Sequence, residues 1–379
     1  MGLLYVLQTI LSHILMFFSK RVSGSRIDTH IHVLTPAFIK ALEENGGDPA
    51  GWVTPTWTIE ECIRFCDTVG SSFAVLSVTA PGTSIVGTGE EGRRLARNLN
   101  EEVWDICRQR PGRFGYFASL PDFNDVQGAV QEIERVYAEG NANGVVVMSS
   151  YGKKLLGDET FIPIWKALNK HKALVFVHPC GLDVEPERIS GFLPPPVVDF
   201  PLATTRTAVS LVLSGTLTEC QNVDVILSHG GGTLPYIGQR AFGSLIDPFI
   251  ASQAKVNFIE GQRAASRFYY DLALSTSRPQ LAALLEFTTP SKILYGSDFP
   301  YAPRVGIYTG LLQYARYIKS KEGAKLGPTQ LNANAVKLLQ KHRTPNCFLP
   351  SDDNRTTGPD YGLEESEQAM EARELLSKL

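Results

Sequence analysis

The stretch Arg26-Ile-Asp-Thr-His-Ile-His-Val-Leu34 carries two histidines, two residues apart, within a run of apolar and β-branched residues. Such a run, followed by Pro36, predicts a short β-strand. Residues i and i+2 of a strand point to the same face, so His30 and His32 would project side by side. Neutral imidazole is a common protein ligand for zinc and similar metals. The pair predicts half of a metal site, although a single His-x-His also occurs without one.

Further apolar runs follow this strand, and a segment of helical pattern separates each from the next. Near-continuous apolar runs are typical of strands buried on both faces of a parallel sheet. Eight β/α units over about 320 residues predict a (β/α)8 TIM barrel, with a doubly wound open sheet as the alternative. The predicted strands are residues 26–34, 72–79, 113–120, 143–148, 173–178, 223–229, 268–274 and 292–298.

The segment between the first two strands contains Gly46-Gly47-Asp48-Pro49, and residues 36–56 are predicted to be a loop-rich insertion. The pattern Thr58-Ile-Glu-Glu61 is a capping box that predicts a helix through about Val69. Trp52 and Trp57 could roof an aromatic substrate or pack the insertion, and the sequence leaves both open. Near the last strand, Phe299 and Tyr301 are predicted to pack at the top of the barrel.

Composition limits the function classes. The chain has 379 residues, with 43% hydrophobic and 20% charged residues, which are ordinary globular values. A net charge of -3 gives no general basic field, so nucleic acid is not an expected partner. The six cysteines form no Cys-x-x-Cys pair, which favours a reducing compartment over a disulfide framework. No Gly-x-Gly-x-x-Gly follows a strand, so a dinucleotide site is not indicated.

The two ends of the chain differ from the body. Residues 1–21 form an apolar N-terminal segment in which residues 3–18 carry no acid or strong base. That run is slightly shorter than the ~20 residues that span a bilayer. We predict membrane contact through residues 3–18 with the body in the cytosol, or else an extra helix packed on the body. Residues 22–343 are predicted to form the barrel, and residues 344–379 a polar and then acidic surface tail.

The active site of a (β/α)8 barrel lies at the C-terminal ends of its strands. The predicted strands place five metal-binding or acid–base residues at that end: His30, His32, His178, His229 and Asp298. Imidazoles with a carboxylate make a mixed nitrogen and oxygen site for one divalent metal ion, Zn²⁺ first and Mn²⁺ second. Such an ion acts as a Lewis acid and orients a substrate.

Four motifs carry a family resemblance: Asp-Thr-His30-Ile-His32, Val-His178-Pro, Ser-His229-Gly-Gly-Gly and Tyr-Gly-Ser-Asp298-Phe-Pro. Together they resemble the amidohydrolase superfamily, and within it the decarboxylase branch typified by aminocarboxymuconate-semialdehyde decarboxylase. The resemblance is closest to the fungal 6-methylsalicylate decarboxylases of patulin-like polyketide pathways. It implies a barrel of the metal-dependent hydrolase type and a small aromatic carboxylate substrate. The implied reaction is non-oxidative decarboxylation, 6-methylsalicylate giving m-cresol and CO₂.

The same resemblance, which spans residues 26–342, implies a role for each site residue. The implied metal ligands are His30, His32, His178 and Asp298. His229 corresponds to an acid–base histidine beside the metal, and Asp298 would also deliver a proton to the ring. Arg240 corresponds to an arginine that reaches the substrate carboxylate of a neighbouring subunit, which implies a homodimer. A second carboxylate-binding arginine is not identified, and Arg64 is not assigned that role.

Two alternatives stay open at this point. A lactonase or amidase could use the same metal to activate water. Binuclear hydrolases of this superfamily use a modified lysine on strand four, whereas residues 144–150 contain none, and Lys153 and Lys154 lie beyond. The sequence therefore favours one metal ion, which still allows a mononuclear hydrolase. A non-catalytic scaffold held at a membrane is the other alternative, and the five-residue constellation argues against it.

Overall fold

Eight parallel strands form one sheet whose spatial order follows the chain. The computed structural model describes residues 26–181 and 189–350, together with Ile10 and Ile14. The strands β1 to β8 are Arg26–His32, Ser71–Ser77, Phe114–Ser119, Gly144–Met148, Leu174–His178, Asp224–Leu227, Tyr269–Asp271 and Ile293–Leu294. A small antiparallel hairpin, Ser150–Tyr151 with Lys154–Leu155, follows β4.

The sheet closes on itself where its last strand meets its first. Asp28 and Tyr295 form a parallel bridge, and the Thr29 amide donates to the Tyr295 carbonyl at 3.0 Å. Beyond it, the His30 carbonyl accepts from the amides of Ser297 at 3.0 Å and Asp298 at 2.8 Å. These bonds confirm the predicted barrel over the open sheet. They also fix Asp298 beside the end of β1.

Helices cover the outside of the barrel, which explains why the strands are buried on both faces. The strand interiors and the inner faces of the helices form one continuous hydrophobic core. Within the described residues, α1 to α13 are Pro36–Glu44, Ile59–Val69, Glu90–Gln109, Val126–Glu139, Ile162–Lys170, Asp199–Leu213, Thr216–Glu219, Leu234–Gly243, Pro248–Gln253, Phe258–Ala265, Arg278–Phe287, Arg304–Tyr317 and Pro328–Lys341.

The prediction of a loop-rich insertion at residues 36–56 is wrong for its first part, which is helix α1. The Thr35 hydroxyl accepts from the Phe38 amide at 3.3 Å, and a proline occupies the first helical turn. Proline is favoured there because its missing N–H would have no partner. Phe38, Ala41 and Leu42 are buried at the spacing of one helical face. The proline after β1 starts this helix as well as ending the strand.

The predicted helix that begins after Thr58 is confirmed, since the Thr58 hydroxyl accepts from the Glu61 amide at 3.1 Å. Gly70 ends that helix with a φ of 71°, in the left-handed region that glycine adopts without steric cost. Six of the eight strands end earlier than predicted, whereas β4 and β5 end at the predicted residues. The last one spans two residues of the seven in 292–298, because the chain turns there to carry Asp298.

The chain ends contribute less to the described fold. The predicted apolar segment of residues 3–18 lies outside the described residues except for Ile10 and Ile14. Among the described residues, none of the helices has the length and apolar character needed to cross a membrane. Residues 344–350 pack on the barrel, where the Phe348 ring stacks on Trp104 at 5.2 Å between centres. The rest of the predicted tail lies outside the described part. All six cysteines are free thiols.

Candidate metal centre and active site

Four predicted residues lie together at the barrel mouth, at the ends of β1 and β5 and in the turn after β8. The potential ligand atoms of these residues all lie within 4.8 Å of one another. All four residues are buried. We call them the ligand group: His30, His32, His178 and Asp298.

The two β1 histidines and the aspartate form the tightest part of this group. The Nε2 atoms of His30 and His32 are 3.2 Å apart. Asp298 Oδ1 lies 3.2 Å from Nε2 of His32 and 3.5 Å from Nε2 of His30. Side chains two residues apart on a strand share a face, so β1 alone brings both imidazoles here.

Backbone carbonyls fix the orientation of two of the imidazoles. His32 Nδ1 donates to the Ser77 carbonyl at 3.2 Å, and His178 Nδ1 donates to the Pro179 carbonyl at 2.7 Å. A carbonyl only accepts, so the proton of each neutral ring is on Nδ1. The Nε2 lone pairs of His32 and His178 are therefore left for a cation.

The charges of the ligand group also suit a cation. Burial lowers the pKa of His32 and lowers that of His178 well below its ordinary value. For His30, burial opposes the charged form, but Asp271 and Asp298 outweigh it and raise the pKa to about 10, and a bound metal ion would take the place of the proton on Nε2. Burial would raise the pKa of Asp298, yet its close contacts with the His30 and His32 rings and the charge of His30 hold it well below its usual range. Buried carboxylates that face imidazole lone pairs need a compensating positive charge, and three nitrogens with one oxygen suit a divalent metal ion.

His229 follows β6 and lies next to the ligand group. Its ring centre is 4.9 Å from that of His30, and its Nδ1 donates to the Ala273 carbonyl at 3.1 Å. Burial and then the charge of His30 lower its pKa, so the ring is neutral near pH 7. With its proton on Nδ1, its Nε2 can accept one from a bound molecule.

A cavity of about 380 Å³ opens beside the ligand group. His178, His229 and Asp298 form part of its wall. Most of the remaining surface is apolar or aromatic, as expected of a site for a small aromatic molecule. The apolar and aromatic part of the wall includes Trp52, Pro196, Val197, Phe200, Leu274 and Tyr301.

The structure resolves the alternatives left for the aromatic residues. Trp52 lines the cavity, whereas Trp57 packs against the hydrophobic core. Phe299 is buried in the core, as predicted, and stacks on Phe65 at 4.1 Å between ring centres. Tyr301, which was predicted to pack at the top of the barrel, also lines the cavity and so is available to a bound substrate.

Arg240 is not part of this site within one chain. It lies in the last turn of α8, is exposed, and does not line the cavity. Lys153 is exposed, and Lys154 lies over the Phe161 ring at 5.7 Å in the hairpin after β4. Neither lysine belongs to the ligand group.

Asp271, the last residue of β7, was not predicted to belong to the site. It is completely buried, and its Oδ2 accepts from His30 Nδ1 at 3.0 Å. Its Oδ1 accepts from the backbone amide of His229 at 3.1 Å. The available signal was an acidic residue within the otherwise apolar and aromatic run of residues 268–274.

This geometry agrees with the family comparison. The model of the amidohydrolase family matches residues 27–340, which include the whole barrel. The chain belongs to the amidohydrolase family.

Two fungal relatives define the position within that family. The chain is 39% identical to the decarboxylase macB of Penicillium terrestre over 302 residues, which are 76% of this chain and 88% of that protein. It is 36% identical to the 6-methylsalicylic acid decarboxylase of Penicillium expansum over 314 residues, which are 82% of this chain and 95% of that protein. The chain therefore belongs with the decarboxylases and is a carboxy-lyase.

A solved structure supports the fold independently. The 5-carboxyvanillate decarboxylase of Novosphingobium aromaticivorans, in complex with manganese and 4-hydroxy-3-methoxy-5-nitrobenzoic acid, superposes with a TM-score of 0.71 at 19% identity. The match covers 83% of this chain and 96% of that one. At this identity the likeness establishes the shared barrel.

Proposed function

We propose that this protein is a metal-dependent, non-oxidative decarboxylase of hydroxy-aryl carboxylates and that its substrate is 6-methylsalicylate, which gives m-cresol and CO₂. The observation that carries the proposal is the ligand group, with His229 beside it, at one end of a cavity with aromatic walls. The fungal relative of that activity supports the choice of substrate.

The ligand group would hold one divalent ion, Zn²⁺ in the first place and Mn²⁺ in the second. When bound, the ion supplies a Lewis acid that can fix the carboxylate and the neighbouring phenol oxygen of the substrate. Two observations support a single ion. The described residues contain one group with suitable ligand spacing, and β4 contains no lysine that could serve as a bridging ligand.

Asp298 would move the proton that decarboxylation requires. Loss of CO₂ directly from the ring would leave an unfavourable carbanion, so the carbon that bears the carboxylate is protonated first. Asp298 is ionised, and it can take the proton of the ortho hydroxyl and deliver it to that carbon. CO₂ then leaves, and the bonding electrons return to the ring as a phenolate.

In the same reaction, His229 would bind the phenol oxygen of the substrate and return a proton to it. Its neutral ring lines the cavity with Nδ1 held by the Ala273 carbonyl, so Nε2 can bind the substrate hydroxyl. After CO₂ leaves, a proton from water passing through His229 restores the phenol. Much of the rate acceleration would come from holding Asp298 and His229 in the correct position relative to the substrate.

The substrate proposal is tested with purified enzyme and a matched pair of substrates. We expect CO₂ and m-cresol in equal amounts from 6-methylsalicylate. We expect none from its methyl ether, 2-methoxy-6-methylbenzoate, because the ether has no hydroxyl proton to transfer. Hydrolysis of lactones or amides without release of CO₂ would contradict the proposal and favour the hydrolase alternative.

We also propose that the enzyme is a homodimer in which Arg240 contacts the substrate carboxylate of the other subunit. Arg240 is exposed, and its neighbourhood in sequence exposes large apolar side chains that a second copy would cover. Exposed apolar area of this kind marks interaction surfaces. The exposed apolar residues are Tyr236, Ile246, Phe249 and Ile259.

Mixing two inactive variants tests this arrangement. In a dimer of Arg240→Ala with His229→Ala, one site keeps both residues, each from a different chain. We expect an equimolar mixture to recover about a quarter of wild-type activity, because half of the dimers are mixed and each has one complete site. Mixtures as inactive as the separate variants would show that Arg240 does not act across an interface.

The domain boundaries and the membrane contact are part of the same proposal. Residues 22–343 would carry the catalytic barrel, with residues 1–21 as a membrane contact and the acidic tail as a surface element. A chain of residues 22–350 keeps the part of the tail that packs on Trp104. We expect it to retain full turnover and to lose any binding to lipid vesicles that the full chain has. Equal binding of both chains to vesicles would rule out residues 1–21 as the contact.

A further inference from the structure

One buried carboxylate at the barrel mouth has no part in the proposed reaction. Asp271 is completely buried, and it uses both of its oxygens. Oδ2 accepts from His30 Nδ1 at 3.0 Å. Oδ1 accepts from the backbone amides of His229 at 3.1 Å and Ala273 at 2.9 Å. The Ala273 carbonyl in turn holds Nδ1 of His229. A single side chain thus links one member of the ligand group to the adjacent histidine.

The partner of His30 differs in kind from those of the other two histidines of the ligand group. His32 and His178 donate to neutral backbone carbonyls, whereas His30 donates to a carboxylate. A carboxylate that accepts from Nδ1 holds the proton on that atom and makes Nε2 a more basic ligand for a metal ion. The ring is thereby oriented with Nε2 toward Asp298 and His32.

His30 and Asp271 pack so closely against Gly296 that a larger residue would not fit at that position. A Cβ at Gly296 would lie 2.7 Å from the Cβ of His30 and 3.1 Å from Oδ1 of Asp271. His229 has a φ of 53°, an unfavourable backbone conformation for a histidine, and its amide is the one that Asp271 binds. The carboxylate therefore holds both the ring of His30 and the backbone of His229.

We infer that Asp271 is a positioning residue, which sets metal affinity through the ring of His30 and places His229 for proton transfer. The inference rests on the proposed metal-dependent function. In Asp271→Asn, the single amide oxygen can serve either His30 or the two backbone amides, and the NH₂ group then faces the other donors. In either orientation of the amide, the variant side chain loses its hydrogen bond with His30 or its hydrogen bonds with the two backbone amides.

Asp28→Asn is the matched control. Asp28 is also completely buried and accepts from the amides of His30 at 3.1 Å and Ser297 at 3.2 Å. Both bonds use Oδ1, while Oδ2 has no partner among the described residues. An asparagine can keep both bonds there with its one oxygen. This variant neutralises a buried carboxylate near His30 without changing the contacts of the ring.

The experiment measures the Zn²⁺ dissociation constant of each full-length protein by chelator competition, without substrate. We expect it to rise about 10- to 100-fold in Asp271→Asn and to change less than about threefold in Asp28→Asn. Equal constants for folded Asp271→Asn and wild type would overturn the inference. Because no turnover is measured, this result is separate from a failure of the decarboxylase proposal.

A second measurement covers the case in which Asp271→Asn does not fold. In zinc-loaded wild type with ¹⁵N-labelled histidine, we expect the His30 Nδ1 proton as a slowly exchanging, downfield NMR signal, because a buried carboxylate accepts it. A ring with its proton on Nε2 would overturn the inference. If Asp271→Asn folds, we expect the loss in kcat that persists at saturating zinc to measure the displacement of His229.

Discussion

Two of the functional side chains are held in backbone conformations that most residues avoid. His229 has a φ of 53° and Asp298 a φ of 64°. Positive φ is unfavourable for residues with a Cβ, at a cost of order 1 to 3 kcal/mol each. Hydrogen bonds offset it, since the Asp298 amide donates to the His30 carbonyl at 2.8 Å and the His229 amide donates to Asp271. The surrounding barrel thus fixes where these two side chains point.

Removal of either proton-transfer group should abolish turnover and leave the fold intact. We expect Asp298→Asn and His229→Ala each to lower the rate of m-cresol formation by about 100-fold or more, because each lacks a group that moves a proton. The measurement is the initial rate at saturating 6-methylsalicylate, with circular dichroism as the control for folding. Normal turnover in either variant would contradict its assigned role.

At the level of single residues, the sequence was most informative where side-chain chemistry is rare. Histidines at strand ends identified three members of the ligand group, and Asp298 followed from its place at the end of the eighth predicted strand. Asp271 was missed because the predicted strand of residues 268–274 placed it in the middle of the strand and not at the C-terminal end, where the site lies. Only the folded chain brings it to within 3.0 Å of His30.

At the level of elements, the loop after α1 contains two tryptophans with different roles. Trp52 lines the cavity, and Trp57 packs on the core. We expect Trp52→Ala to raise KM for 6-methylsalicylate several-fold with little change in thermal stability, through loss of an aromatic contact worth about 1 kcal/mol. We expect Trp57→Ala to lower the thermal midpoint with little change in KM. Steady-state kinetics and thermal unfolding distinguish the two, and the reverse pattern would contradict these placements.

The start of β6 joins the end of α13 through the buried carboxylate of Asp224. Asp224 accepts from Lys341 and from His342 Nε2, the latter at 2.9 Å. Burial would raise the pKa of Asp224, but these hydrogen bonds outweigh it and lower the pKa to about 2. A carboxyl whose folded pKa lies below its unfolded value stabilises the fold above about pH 4. That contribution is lost as the pH falls toward 2.

We therefore expect Asp224→Asn to lower the free energy of unfolding at pH 7 by about 2 kcal/mol. The difference from wild type should shrink steadily between about pH 4 and pH 2. Urea unfolding at several pH values measures it. A difference that is constant across this range would show that the ionised form of Asp224 does not stabilise the fold.

The prediction of elements was limited by chain geometry. Apolar runs located all eight strands, yet the ends of β7 and β8 were predicted several residues too long. Beyond the last ladder bond the chain turns, and residues such as Leu272 remain buried without being in a strand. Helix α1 was missed because Pro36 was interpreted as a stop, whereas after an N-capping threonine it begins a helix.

At the level of the whole molecule, the barrel brings together residues that are far apart in the chain. His30 and Asp298 meet because β8 closes onto β1, and His178 reaches them from β5. The alternation of strands and helices predicted this meeting point, since all parallel strands of a barrel end at the same mouth. The proposed role of Arg240 at the site depends on a second copy of the chain.

The central claim is that a single metal ion in the ligand group drives decarboxylation, and metal titration tests it most directly. The enzyme is treated with a chelator, dialysed and reloaded with Zn²⁺ or Mn²⁺ while CO₂ release from 6-methylsalicylate is followed. We expect activity to disappear on chelation and to return in proportion to bound metal, reaching its maximum at one ion per chain. Undiminished activity in the chelated protein, or a maximum that requires two ions per chain, would contradict the account.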